Sequence, residues 1–210
     1  MGVDLAWFSA PWRRRDLYVD GAPRDDADVL WLQAGPWYAD LRIPHDDHGG
    51  PVEAFAGTAS WTEPRFTWHH DLDWIGSFPD DVGHLEVDGE DLIERGTFVV
   101  DGRDAPYEER WVRSGPAGPA LVATAPGAML VRVGDHAIVQ VAGDGTFAAQ
   151  RHERSDGVWA TVFDRSAGGP DAGDQGVAVP DFDGAWVPGD ELALGPLALT
   201  VVLAEAGGAR

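Results

Sequence analysis

Apolar side chains in this chain recur at every second position, and turn residues cut the pattern into short runs. That period belongs to a strand with one face toward a core, whereas a helix repeats every 3.6 residues. Hairpin signals stand at Ala34-Gly35, Asp88-Gly89, Gly134-Asp135, Gly143-Asp144-Gly145 and Asp156-Gly157, residue pairs that supply the positive φ of tight β-turns. An almost all-β antiparallel chain is predicted. Its strands are expected over 4–9, 12–19, 28–33, 36–43, 58–62, 65–74, 83–88, 91–100 and 107–113, then over 119–124, 128–133, 136–142, 146–153, 157–164, 184–187 and 197–204. The one candidate helix is a turn or two around 51–57.

The run Ser114-Gly115-Pro116-Ala117-Gly118-Pro119 reads as a connection between two units, 1–114 and 115–210. Eight of the ten Trp and five of the seven His precede it, so the chemistry is expected in the first unit and a structural role in the second.

Composition removes whole classes of function. Without Cys there is no disulfide framework, thiolate nucleophile or Cys-type metal site. All 15 basic residues are Arg, which excludes a lysine Schiff base and a P-loop lysine. A net charge of -21 argues against nucleic acid and anionic membrane, both polyanions held through basic patches. No stretch approaches the roughly 18 apolar residues of a membrane helix, and the N-terminal MGVDLAWFSAPWRRR carries its charges after its apolar part, the reverse of a secretory signal. A cytoplasmic location is therefore expected. The nucleophile-elbow, zinc-protease, P-loop and dinucleotide motifs are absent. His45, Asp46, Asp47 and His48, between Pro44 and Gly49-Gly50, read as a solvated loop, as does the Gly-rich 167–176. Neither a metal nor a cofactor is implied.

Three strands carry candidate chemistry. In RFTWHHDLDW, 65–74, alternation puts Phe66, Trp68, His70, Leu72 and Trp74 on one face, and Arg65, Thr67, His69, Asp71 and Asp73 on the other. His70 is then a core residue or a pocket residue, and His69 belongs to a wet edge. From Trp37, the residues Tyr38, Asp40 and Arg42 share a face, either as a ladder in water or as a polar stripe inside a barrel, where Arg beside Asp is held for a ligand. In YEERWVR, 107–113, Glu109 stands between Tyr107 and Trp111. Burial there raises a carboxyl pKa and suits it to acid-base work, unless an Arg such as Arg42 keeps it ionised. Glu94, which faces with Leu92, is a weaker candidate.

The segments WRRRDLYV (12–19), VLWLQAGPWYADLRIP (29–44), FAGTASW (55–61), FTWHHDLDW (66–74), DVGHLEVDGEDLIERG (81–96) and YEERW (107–111) together resemble the HRI1-like family of small proteins. The family's Trp-His-x-x-Asp segment is matched by Trp68, His69, His70 and Asp71 through Asp73, and its tyrosine-bearing strand by Tyr107 to Trp111. The resemblance covers about half the chain and implies two lipocalin-like (calycin-type) antiparallel barrels in one chain, with no established reaction.

A lumen carrying Trp68, His70, Trp74, Tyr107, Glu109 and Trp111 suits a hydrophobic or aromatic small molecule. Tyr38, Asp40 and Arg42 would complete it. The same lining suits cofactor-free acid-base catalysis by an isomerase, cyclase, dehydratase or decarboxylase, with Glu109 or His70 moving the proton and Arg42 or Tyr38 steadying an oxyanion. An interaction protein, or a haem binder using His70 or His84, is the third reading.

Overall fold

A computed structural model describes residues 4–24, 26–45, 51–74, 80–100, 102–143, 145–167, 180 and 182–205. A short 3-10 helix, Leu5–Phe8, precedes strands β1 (Ala10–Val19), β2 (Ala22–Pro23), β3 (Ala27–Ala34), β4 (Trp37–Pro44), β5 (Glu53–Thr62), β6 (Arg65–Asp73), β7 (Asp80–Asp88), β8 (Asp91–Val100) and β9 (Arg103–Arg113). After 114–119 come β10 (Ala120–Ala125), β11 (Ala128–Val133), β12 (His136–Gly143), β13 (Thr146–Ser155), β14 (Val158–Ala167), β15 (Glu191–Leu194) and β16 (Leu197–Glu205).

The strands form two antiparallel sheets. In the first, the order β1-β3-β4-β5-β6-β7-β8-β9 returns on itself because β9 pairs with β1, from Val19↔Tyr107 to Trp12↔Arg113. This closes an eight-stranded barrel without edges, and β2 only adds two residues to β1. The second sheet, ordered β14-β13-β12-β11-β10-β16-β15, is a curled half-barrel in which β14 and β15 do not pair among the described residues. No helix of the described residues is long and apolar enough to cross a membrane.

The half-barrel packs by its convex face on β3, β4 and β5. Leu30, Leu32, Ala39, Leu41, Ala54 and Ala56 meet Val122, Met129, Val131, Val133, Ile138 and Ala149 in one buried core. Strands β3 and β4 are therefore covered on both sides, which is why their alternation is blurred by further apolar residues. Each Leu so buried contributes about 1.5 to 3 kcal/mol. Across this interface Arg13 bridges Asp28 and Glu153, both at 2.9 Å, and Arg151 meets Asp28 at 2.8 Å.

Three expectations differ from the fold. Residues 51–57 are not helical: Ala54 and Ala56 form the buried outer stripe of β5, and Val52, just before the strand, joins the same core, so the short apolar residues follow period two after all. Strand 4–9 is replaced by the 3-10 helix, capped by Asp4, whose side chain accepts from the Trp7 N–H. It drives Phe8 into one end of the barrel against Trp61 and Phe66, at 5.0 and 5.1 Å. No strand forms over 184–187, and the chain joins the half-barrel edge at β15 instead. The loops at 45–48 and 167–176 lie, but for His45 and Ala167, outside the described residues.

Candidate ligand site

The barrel interior is divided along its axis. At the end closed by Phe8, aromatic rings fill the space, with Trp31 as the hub. Trp31 stacks on Trp12 at 6.0 Å and meets Phe66, Trp68 and Trp111 edge-on at 5.5 to 5.6 Å, the geometry favoured by ring quadrupoles. The indoles are also anchored: Trp12 Nε1 donates to Phe8 O at 2.8 Å, and Trp31 Nε1 to Gln33 Oε1 at 3.0 Å.

Toward the other end the lining turns polar. Tyr38, Asp40 and Arg42 point inward from the regular alternation of β4, His70 from β6, Asp81 from β7 and Glu94 from β8. Together with Trp31, Phe55, Trp68 and Trp111 they surround a cavity of about 20 Å³, room for about one water. Arg42 Nε donates to Asp40 Oδ1 at 3.0 Å, and its guanidinium lies 5.4 Å from the Phe55 ring centre. The Tyr38 hydroxyl is buried and has no partner. Burial, and then the carboxylates of Asp40, Asp81, Asp71 and Asp73, push that phenol well above its ordinary pKa. Burial alone would lower Arg42, but Asp40, Glu109, Glu53 and Asp81 more than offset it and hold the guanidinium charged.

Glu94 is the most heavily engaged acid. Tyr107 donates its O–H to Oε1 at 2.7 Å, and Trp111 Nε1–H donates to Oε2 at 3.0 Å. Desolvation, followed by the charges of Glu109 and Asp81, raises this carboxyl well above the ordinary range despite the Tyr107 bond. Two glycines make room for the pair. A Cβ at Gly83 would stand 2.8 Å from Glu94 Oε1, and one at Gly96 would stand 2.5 Å from the Tyr107 ring. Glycine inside a strand marks such close approach, and Gly83 and Gly96 are the trace this arrangement leaves in the sequence.

Glu109 lies behind this cavity. Its partner is Arg14, at 2.9 Å, with both side chains nearly inaccessible at 2% and 6% exposure. Arg14 also holds Asp26 at 2.6 Å. Arg14 faces inward with Trp12 by the ordinary alternation of β1, and the bulge at Arg15 leaves that residue in water and lets Leu17, rather than Asp16, continue the inward face. Arg42 acts on Glu109 through its charge, and the hydrogen-bonded cation is Arg14, a residue the spacing of β4 and β9 gave no means to find. Desolvation outweighs both guanidinium charges and raises the Glu109 carboxyl.

Trp74 is elsewhere. Between Ala56↔Leu72 and Gly57↔His70 the β5–β6 register shifts, so Asp71 is an extra residue and the faces exchange beyond it. His70 keeps the lumen with Trp68, whereas Leu72 and Trp74 turn out into the core between the sheets, where Trp74 meets Phe147 at 4.9 Å. Asp73 is turned back toward His70, its Oδ2 3.5 Å from Nδ1. His69 lies on the outer surface between Ser60, at 3.1 Å, and Asp80, at 2.5 Å. The structure thus gathers Tyr38, Asp40, Arg42, Trp68, His70 and Trp111 at one cavity, sets Tyr107 and Glu109 one layer back, and removes Trp74. No family model, curated protein or solved structure matches this chain.

Proposed function

We propose that the closed barrel binds a small, flat, largely apolar molecule that carries one hydrogen-bonding head. The observation that carries this reading is the Tyr38 hydroxyl, buried without a partner beside the Asp40–Arg42 pair and above a floor of tryptophan. A buried polar group left unsatisfied costs about 1 to 3 kcal/mol, and a ligand head at that hydroxyl would recover it. With a cavity of about 20 Å³, the head alone enters, and the rest of the ligand lies toward the polar mouth over Phe55 and His70. The resemblance to the HRI1-like family favours the same barrel-type reading and names no reaction.

Phenol, toluene and benzoate test it, because they share a ring and differ in the head. Calorimetric titration is expected to rank phenol first and benzoate last, the latter repelled by Asp40 and Asp81, with the phenol preference lost in Tyr38→Phe. Equal affinity for phenol and toluene, or no binding of either, contradicts the proposal.

A second reading rests on Glu94. A carboxyl held well above the ordinary range by desolvation, at the wall of a cavity shared with His70, suits general acid chemistry. It gives the proton-carrying role to Glu94, since Glu109 is tied to Arg14. Under this reading a molecule incubated with the protein is recovered altered; under the first it is recovered unchanged.

A further inference from the structure

The half-barrel holds a larger space that the reading above does not use. Its concave face is a core of Leu121, Leu130, Val139, Leu192, Leu194 and Leu199, covered by Phe182 and Trp186. Where the segment 182–186 crosses one end of that face, a groove of about 450 Å³ opens between it and β10, β11, β13 and β16. This is within the roughly 300 to 1,000 Å³ of small-molecule sites, and far above what the closed barrel offers.

Two guanidiniums, Arg132 and Arg154, line the groove together with the carboxylates of Asp183 and Glu205. Arg132, whose side chain is only 6% exposed, donates from Nε to Gly134 O at 3.1 Å and from Nη1 to Phe182 O. Its Nη2 stands 3.3 Å from Asp183 Oδ1, and its guanidinium lies 5.2 Å from the Trp159 ring centre. Arg154 stands 3.3 Å from the other oxygen of the same carboxylate and 3.9 Å from Asp135. Its Nε is buried and has no partner. Two planar, five-donor cations therefore share Asp183 at long distances, beside apolar walls of Leu121, Ala204 and Phe182. Such forks match the two oxygens of a carboxylate.

We infer that this groove is a second binding site, for a carboxylate borne on a flat apolar body, with Arg132 and Arg154 taking the carboxylate and Phe182 and Trp186 the body. Asp183 then orients the two guanidiniums from one side while the ligand's carboxylate meets them from the groove. Burial lowers the proton affinity of Arg132 against the opposing charge of Asp183, Arg154 adds to the lowering, and the charge of an added anion works against both.

The probes are 2-naphthoate, 2-naphthamide and 2-naphthylmethylamine, titrated calorimetrically into the full chain. Naphthoate is expected to bind at least about tenfold more tightly than the amide, and the amine not to bind. Arg132 supports the fold through Phe182 and Gly134, so the decisive variant is the more exposed Arg154→Gln. It should reduce naphthoate affinity by about tenfold and leave any amide binding unchanged. Tyr38→Phe, in the other barrel, should leave naphthoate binding intact. Equal binding of acid and amide, absence of naphthoate binding, or a naphthoate affinity indifferent to Arg154→Gln overturns the inference. Loss of naphthoate binding in Tyr38→Phe assigns the ligand to the closed barrel and overturns it as well.

Discussion

Tyr107 gives its phenolic hydrogen to Glu94 Oε1 at 2.7 Å, inside a barrel where Gly83 and Gly96 leave the space for both side chains. The bond joins β8 to β9, and Trp111 reaches the second oxygen of the same carboxyl from the same strand. Both oxygens accept, so a proton taken up by Glu94 must sit on a lone pair that these two bonds leave free.

That proton has a thermodynamic signature. The folded state holds the Glu94 carboxyl well above its ordinary 4.5, chiefly through desolvation, so the folded protein binds the proton more tightly than the unfolded chain does. Stability is then lost as pH rises above about 4.5 toward the raised folded value. Glu94→Gln removes this term while keeping an acceptor for Tyr107 or Trp111. Urea unfolding at several pH values should show wild type losing ground to the variant as pH rises, and parallel curves would disprove the raised carboxyl.

Glu109 and Arg14 form a buried pair at 2.9 Å. Glu109→Gln leaves the guanidinium with the half-exposed Asp26 and the Ala27 carbonyl and is expected to cost about 3 to 5 kcal/mol. Arg14→Gln should be comparably damaging. A loss below about 1 kcal/mol for both in urea unfolding, the range of exposed pairs, would show that water reaches them.

The bulge at Asp71 depends on Gly57. A Cβ there would collide with the His69 carbonyl oxygen and approach Asp71 N to 2.8 Å. Gly57→Ala should therefore be among the most destabilising single-methyl additions, beyond the roughly 1 to 3 kcal/mol of ordinary overpacking. Its near-UV circular dichroism should also change, as Trp74 leaves Phe147. An unperturbed spectrum with unchanged stability would mean that β5 and β6 do not approach in this way.

His152 on β13 is fully buried beside Phe182, at 5.3 Å between ring centres, and burial lowers its pKa to about 4. The unfolded chain protonates it near 6.5, so stability falls as pH drops from about 6.5 to 4, by on the order of 3 kcal/mol. His152→Gln should flatten that part of the acid limb, and an unchanged limb would contradict the assignment.

How far the sequence reached depended on local regularity. Tyr38, Asp40 and Arg42 share the lumen because β4 runs without a bulge, so period two sufficed. His70 and Trp68 are likewise on the near side of the Asp71 bulge. Trp74 lies beyond it, and one extra residue exchanges the faces. The bulge has no pattern of its own in RFTWHHDLDW; its trace is Gly57 on the neighbouring strand. The partner of Glu109 was out of reach for a different reason: ring closure of β1 onto β9 brings Arg14 to it across 95 residues, and no spacing along one strand encodes that. The two-sided burial of β3 and β4 is set by the half-barrel, and Gln140 completes it by donating to the carbonyls of Asp40 and Phe55 at 3.1 and 2.9 Å.

In the proposed function, the polar end of the closed barrel takes a ligand head at Tyr38. Indole N–H signals in a nitrogen-proton correlation spectrum, followed during titration with phenol, test it most directly, because Trp31, Trp68 and Trp111 line that cavity while Trp159 and Trp186 lie in the half-barrel. Saturable shifts at the first three, silence at the other two and loss of the shifts in Tyr38→Phe are the expected result. Shifts confined to Trp159 and Trp186, or a titration indifferent to Tyr38→Phe, would contradict it.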